Sequence, residues 1–173
     1  MTVSNYIKQT VIERFPQAED KISTVYSGVN LKQSHSIWTP TGQKIRSEFR
    51  TKYDIQDKKV ILFAGRLCEN KGPHLLIHAM NKIIQTHKDT VLVIVGGKWF
   101  SDNRVNKYIR KLYRIAKPIE KHVIFTKFIP ADQMHNMFLM GDIFICSSPW
   151  NEPLARVHYE AMVAGIPIPW EKC

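Results

Sequence analysis

Runs of consecutive apolar residues recur from residue 60 onward, and stretches of helical period separate them. Val60-Ile61-Leu62-Phe63-Ala64 ends at Gly65, and Val91-Leu92-Val93-Ile94-Val95 ends at Gly96-Gly97. Val123-Ile124-Phe125-Thr126, Ile143-Phe144-Ile145-Cys146 and a short Ile166-Pro167-Ile168 continue the series. These runs lack the alternation of a half-exposed strand, so they predict strands buried on both faces. Between them, the spacing predicts helices over 73–86, 103–116, 131–139 and 153–164. Strands alternating with helices in this way predict an α/β domain with a Rossmann-like, doubly wound parallel sheet.

The first third is less regular. Tyr6, Ile7, Val11, Ile12 and Phe15 fall at helical spacing between a Ser4 or Asn5 cap and Pro16, which predicts a short amphipathic helix. Ile22 to Tyr26 reads as a short strand ended by Ser27-Gly28. Residues 30–43 are polar and aperiodic and read as a linker, and 42–53 suggests a basic helix.

At 173 residues and 44% hydrophobic content, the chain is long enough for one domain with a real core and not comfortably for two. A formal charge of +10 implies anionic partners, whether nucleotides, nucleic acid or a membrane surface, without choosing among them. None of the usual nucleic-acid recognition motifs is present. The N-terminal residues lack the apolar stretch of a signal peptide and no window is long enough to span a bilayer, so a cytoplasmic location is expected. Cys68, Cys146 and Cys173 are scattered and odd in number, which predicts reduced thiols rather than a disulfide framework or a zinc site. His74 and His78 have a spacing zinc could use, but no third ligand accompanies them, and no metal is expected.

The candidate chemistry centres on Glu152-Pro153-Leu154-Ala155-Arg156-Val157-His158-Tyr159-Glu160, which follows Asn151. Pro153 suits the first position of a helix, so the helix is expected to start there with Glu152 at its mouth. The unpaired N–H groups of the first turn would form a seat for phosphate. With a rise of about 1.5 Å per residue, the two carboxylates would lie about 12 Å apart along the axis. That layout suits a nucleotide sugar, with hydroxyls at both ends and a diphosphate between them. The same spacing also fits a helix with one capping and one exposed glutamate.

In a doubly wound sheet of order 3-2-1-4-5, ligands bind beyond the carboxyl ends of the strands, between the first and the fourth. The loops there run from Gly65 to Gly72 and from Ser147 to Glu152. Arg66 and Lys71 fit as phosphate ligands, with Gly65 and Gly72 allowing close backbone approach, although either cation alone also reads as a surface charge. Trp99, Phe100 and Trp150 either flank this crevice or pack, and the same choice stands for His158 and Tyr159. Lys107, Arg110, Lys111, Arg114 and Lys117 form a basic stripe opposite Val105, Ile109, Leu112 and Ala116, as on a solvated face or a membrane-surface helix.

Phe63-Ala64-Gly65-Arg66-Leu67, Lys71-Gly72-Pro73 and the stretch from Glu152 through Glu160 into Ala161-Met162-Val163-Ala164-Gly165-Ile166-Pro167 resemble the donor-binding domain of family 4 (group 1) retaining glycosyltransferases. More narrowly, Glu152 to Met162 with Lys98-Trp99-Phe100 is similar to the spore coat protein SA group of bacilli. The resemblance runs from about Val3 to Ile168 and implies the C-terminal half of a two-domain GT-B fold. Residues 1–41 would be the remnant of the N-terminal domain, and 42–173 a nucleotide-sugar-binding domain incomplete at its C-terminal end.

The resemblance also implies roles. Arg66 and Lys71 would hold the donor diphosphate and stabilise the leaving phosphate, and Glu152 would contact the transferred sugar, these three forming the catalytic set. Pro153 and the Leu154 and Ala155 amides would meet the phosphate, Glu160 the ribose, and Gly65 would admit the donor backbone-close. No metal or cofactor is required, and the glycosidase scheme of acid plus nucleophile is not projected onto Glu152 and Glu160. The implied enzyme is a hexosyltransferase of polysaccharide biosynthesis, moving a hexose from a nucleoside diphosphate sugar to a glycan or a cell-surface or spore-coat acceptor. Such a protein would be cytoplasmic, membrane-peripheral or spore-coat associated. Without the acceptor domain, the fragment is expected to bind donor weakly and not to transfer sugar. The rival expectation is a non-catalytic basic module that docks on an anionic membrane or polymer through the 104–117 helix.

Overall fold

Four strands, β1 (Lys59–Ala64), β2 (Thr90–Val95), β3 (Val123–Lys127) and β4 (Ile143–Phe144), form one parallel sheet in the order β3-β2-β1-β4. The computed structural model describes residues 1–99, 101–150 and 152–169. The expectations that fall on Phe100, Asn151, Trp170, Glu171, Lys172 and Cys173 lie outside the described residues. Six helices accompany the strands: α1 (Asn5–Arg14), α2 (Pro40–Lys52), α3 (Pro73–Thr86), α4 (Lys107–Ala116), α5 (Ala131–Leu139) and α6 (Arg156–Ala164).

The continuous apolar runs divide between two cores because successive strand side chains point to opposite faces. Val60, Leu62 and Ala64 of β1 join Val91, Val93 and Val95 of β2 under Phe138, Phe144, Ala161 and Ala164. Phe63, Leu92 and Ile94 enter the other core with Ile77, Met80, Ile109 and Leu112. Thus α3 and α4 cover one face, and α2, α5 and α6 the other. Burying a large aliphatic or aromatic side chain contributes about 1.5–3 kcal/mol, so neither layer can be stripped without loss of the sheet.

At the N-terminal edge of the sheet an arginine pair binds α2 to the β4 corner. Arg46 donates to the carbonyls of Leu139 (2.7 Å) and Gly141 (2.6 Å) and to Asp142, and Arg50 donates to the Met140 carbonyl (3.1 Å) and Asp142 Oδ2 (2.7 Å). These guanidinium groups satisfy carbonyls at and just after the end of α5, where cations are favoured. Asp142 Oδ2 also accepts from the Val60 N–H at 2.7 Å, which ties the start of β1 to the same knot.

Several boundaries differ from the sequence reading, each for a local reason. The strand expected over Ile22–Tyr26 reduces to a parallel bridge between Thr2 and Thr24, with Thr2 N–H to Ser23 and Val25 N–H to Thr2 as its bonds. Helix α2 starts at Pro40 inside the expected linker, because Thr39 Oγ1 caps Gly42 N–H at 3.1 Å and Pro40 sits at the helix start. Leu31–Gln33 in that linker is a 3-10 turn. Helix α4 starts at Lys107 rather than 103, since Asn106 Oδ1 caps Ile109 N–H at 2.8 Å while Asn103 Oδ1 is taken by Phe128 N–H.

The last expected strand, Ile166–Ile168, contributes a single bond beside β4, from Phe144 N–H to the Pro167 carbonyl at 2.9 Å. Pro167 has no N–H to donate, which limits the ladder. Helix α6 begins at Arg156, three residues later than expected, and Pro153 is not its first residue. Ahead of it the Glu152 side chain is held by the β1 loop, and Ala155 at φ −88, ψ 87 is not helical. The axial estimate of about 12 Å between Glu152 and Glu160, which assumed a helix from 153, therefore does not apply.

Candidate functional site

The loops after β1 and β4 meet beyond the carboxyl ends of the strands. Gly72, which ends a 3-10 turn over Glu69–Lys71, has φ +67 and caps α3, a conformation that suits glycine. A Cβ on it would lie 2.0 Å from the Ser147 carbonyl oxygen, so only glycine lets the two loops touch. Ser147 Oγ donates to the Lys71 carbonyl at 3.1 Å and closes the contact. The β2 loop joins them: Leu67 N–H bonds the Gly97 carbonyl at 2.9 Å, and the Gly65 carbonyl faces Gly96 closely enough to exclude a Cβ there.

This convergence brings Lys71 to Glu152. Lys71 Nζ donates to Glu152 Oε1, the same oxygen that accepts from Ser148 Oγ at 2.6 Å and Trp150 Nε1 at 3.2 Å. Among the described residues, none of these bonds goes to Oε2, which leaves one carboxylate oxygen to accept from a ligand hydroxyl. Burial pushes the Glu152 carboxyl up, but the bonds from Lys71 and Ser148, the Lys71 charge and the Trp150 bond outweigh it and hold its pKa below the ordinary value. Glu152 is therefore an anion at neutral pH with one fixed face.

Arg66 is exposed, and its guanidinium lies 4.4 Å from the centre of the Trp99 ring, a cation–π contact between the β1 and β2 loops. Trp99 is positioned by a small turn in which it bridges Asp102, while Asp102 is bonded to Arg104 and sits 3.5 Å from Lys98. Pro153, Leu154 and Ala155 follow Glu152, all partly buried, and no hydrogen bond to the Leu154 or Ala155 N–H occurs among the described residues. Glu160, at the middle of α6, is 3.8 Å from Arg156. Burial raises its pKa above the ordinary carboxylate value, and Arg156 opposes this only in part.

The arrangement thus joins Lys71 and Glu152 where the glycine-bearing loops meet, with Arg66 on the β1 loop against Trp99, and Glu160 midway along α6. Of the tryptophans that the sequence left to flank the crevice or to pack, Trp150 holds Glu152 and Trp99 carries Arg66, whereas Ser148 as a holder of Glu152 escaped the sequence reading. The available signal was the polar Ser147-Ser148 pair immediately after an apolar strand. At the back of the cleft, Cys146 has its thiol pKa lowered: burial raises it, but hydrogen bonding with His158 and Ser148 prevails.

His74 belongs to a different contact, its Nδ1 2.7 Å from the Tyr108 hydroxyl. Two shallow hollows of about 260 and 250 Å³ lie elsewhere, the first along Lys59 and 86–90 and the second at Gln43, Arg46, Ser47, Arg50 and Gln56. Neither includes Arg66, Lys71, Glu152 or Glu160.

The family profile "Glycosyl transferases group 1" matches residues 45–168. The chain belongs to the group 1 glycosyltransferases. Its relatives include YtcC of Bacillus subtilis (strain 168), 62% identical over 167 residues that make up 96% of this chain and 41% of that protein. Spore coat protein SA of the same strain is 48% identical over 168 residues, 97% of this chain and 45% of that protein. The chain therefore spans less than half the length of these two relatives. Among solved structures, Anabaena Alr3699/HepE in complex with UDP-glucose superposes with a TM-score of 0.80 at 23% identity, over 96% of this chain and 43% of that one. The fold is accordingly the Rossmann-like parallel sheet of a GT-B glycosyltransferase's C-terminal half. Among the described residues no helix is long and apolar enough to cross a membrane.

Proposed function

We propose that the cleft between the β1 and β4 loops binds a nucleoside diphosphate sugar, and that the domain is the donor half of a retaining hexosyltransferase. The observation that carries this reading is the junction of Lys71 with Glu152 across the two loops, with Arg66 on the same β1 loop as Lys71 and stacked on Trp99 of the β2 loop. Arg66 and Lys71 supply cationic donors for a diphosphate and stabilise the charge that develops on it as the sugar leaves. The unbonded N–H groups of Leu154 and Ala155 lie at the entrance to α6, where anions are favoured. Glu152 Oε2 accepts from the transferred sugar, and Glu160 accepts from the ribose. Support comes from the relative Alr3699/HepE, whose structures carry UDP and UDP-glucose.

In this structure Lys71 and Glu152 neutralise each other, so donor binding is an exchange: the diphosphate takes Lys71, and Glu152 turns to the sugar. The acceptor is a glycan or a cell-surface or spore-coat polymer, and transfer requires a second half of the whole protein to hold it. The residues ahead of Ile37, whose N–H bonds the Ala164 carbonyl, belong to that half on this reading; α1 buries none of its residues. Deleting residues 1–28 is then expected to leave the unfolding midpoint of the remainder unchanged.

Calorimetry of the chain with UDP, GDP and ADP tests the assignment. At least one of the three should bind, and Arg66→Ala should weaken it by about tenfold or more, the loss of a charge-assisted bond. Absence of binding by all three, or affinities untouched by Arg66→Ala and Glu160→Ala, would show the site to be elsewhere.

A further inference from the structure

The positive charge of this chain is concentrated on one outer surface. The segment 107–122, α4 with the 3-10 turn that follows it, carries Lys107, Arg110, Lys111, Arg114, Lys117 and Lys121 against the single carboxylate Glu120. Its net charge of five is half of the chain's formal +10. Ile109, Leu112 and Ala116 are buried in the core between α4 and the sheet, which turns the cations at 107, 110, 111 and 114 outward along one exposed row. Glu120 is paired with Lys117; the other five cations form no ion pair among the described residues.

A globular domain gains nothing in stability from such a row, since like charges at i,i+3 and i,i+4 repel. We infer that this face is a docking surface for an anionic lipid bilayer. The row lies along the outer side of a single helix whose opposite side, Ile109, Leu112 and Ala116, is buried against the sheet. The two tyrosines of α4 are both engaged edge-on, Tyr113 against Phe125 with ring centres 4.8 Å apart and Tyr108 against His74 at 5.9 Å, so neither is a platform for stacking bases. Single-stranded nucleic acid is held by a groove with such platforms, whereas lipid headgroups present diffuse charge that flexible lysines and arginines meet without one. Because α4 follows the β2 loop that carries Trp99, its N-terminal end borders the cleft. Docking through α4 sets the cleft at the membrane surface and leaves it open. The inference is independent of what the cleft binds.

The test is co-sedimentation of the full chain with vesicles of phosphatidylcholine containing about a third phosphatidylglycerol, at low and at physiological salt. Binding to these vesicles, none to pure phosphatidylcholine, and weakening with salt are expected. Lys107→Gln, Arg110→Gln, Lys111→Gln and Arg114→Gln together should reduce partitioning by roughly fivefold per cation, hence several hundredfold. A control with equal charge removed from another surface, Arg14→Gln, Lys21→Gln, Lys32→Gln and Lys44→Gln, should lose far less. All eight side chains are on exposed residues, and matching unfolding curves establish that both variants fold.

UDP affinity should be the same in the α4 variant as in the wild type, which separates this surface from the cleft. Absence of vesicle binding by the wild type, equal losses in the two variants, or tighter binding to an RNA oligonucleotide than to vesicles of matched charge would each overturn the inference.

Discussion

Glu152→Gln isolates the charge that joins the two loops. The glutamine preserves size and an oxygen able to accept from Ser148 and Trp150, and it removes only the anion facing Lys71. The Lys71 and Glu152 side chains are 22% and 14% exposed. That places them between a surface pair, worth about 0–1 kcal/mol, and a buried pair whose disruption costs about 3–5 kcal/mol. A loss of about 1–3 kcal/mol in the ligand-free protein is expected at pH 7. The sign of the pH dependence follows from the lowered folded pKa. A depressed carboxyl pKa contributes stability that is complete above the unfolded value and disappears as pH falls through the folded one. Urea unfolding should therefore show the full difference between wild type and variant near neutrality, shrinking below the ordinary value of 4.5. Calorimetry adds a second readout, because under the proposed function UDP competes with Glu152 for Lys71. Removing the competitor should tighten UDP by up to about tenfold, while UDP-glucose, deprived of an anionic hydroxyl acceptor, should gain less. A destabilisation that stays constant into acid would refute the ion-pair account, and equal changes for UDP and UDP-glucose would refute the exchange.

Three further outcomes follow from neighbouring geometry. Trp99→Ala removes the ring under Arg66, a contact worth about 0.5–1 kcal/mol when exposed, and should weaken UDP by roughly two- to fivefold in calorimetry, with Trp99→Phe keeping most of the affinity. Glu160→Gln should raise stability at neutral pH, because the folded carboxyl has a raised pKa and its charged form is disfavoured there. That gain should begin to shrink in urea titrations as pH falls through the raised value and be gone below the ordinary value of 4.5, and UDP binding by the variant should be weaker at neutral pH. Asp142→Ala leaves Arg46, Arg50 and the Val60 N–H without their shared carboxylate. With Asp142 40% exposed, solvent screening limits the loss to about 1–2 kcal/mol in urea unfolding, and UDP affinity should not change because the knot lies at the opposite end of the sheet.

Elements punctuated by their own residues were legible in the sequence. Helix α3 and helix α5 fall on the expected residues, 73–86 and 131–139, because Gly72-Pro73 and Pro130 mark their starts locally. The parallel order was legible too, since runs apolar on both faces have few alternatives to a doubly covered sheet. What failed depended on contacts distant in sequence or on a competing cap. Pro153 looks like a helix start, but the bond from Lys71, eighty-one positions away, holds Glu152 and delays α6 to Arg156. Asn103 and Asn106 are equally good caps on paper, and the Phe128 N–H decides between them by occupying the first.

The same distinction governs the cleft. Which residues enter it follows from topology: any chain with this strand order brings the β1 and β4 loops together. How they are charged does not, because it depends on side chains that meet only after folding. Read separately, Lys71 is a phosphate ligand and Glu152 a sugar ligand, two fixed grips on one donor. In the structure they are partners, with Ser148 and Trp150 fastening the carboxylate and Gly72 against Ser147 fixing the loops. A paired lysine meets an incoming diphosphate at the cost of leaving a carboxylate, so affinity for the nucleotide alone is reduced by the worth of the pair. A donor that also presents a hydroxyl to the released Glu152 offsets that cost, whereas free nucleoside diphosphate does not. On the proposed reading the pair favours substrate over product in the same cleft, and this selectivity, rather than the bare affinity of two cations for phosphate, is what the glutamine variant should abolish.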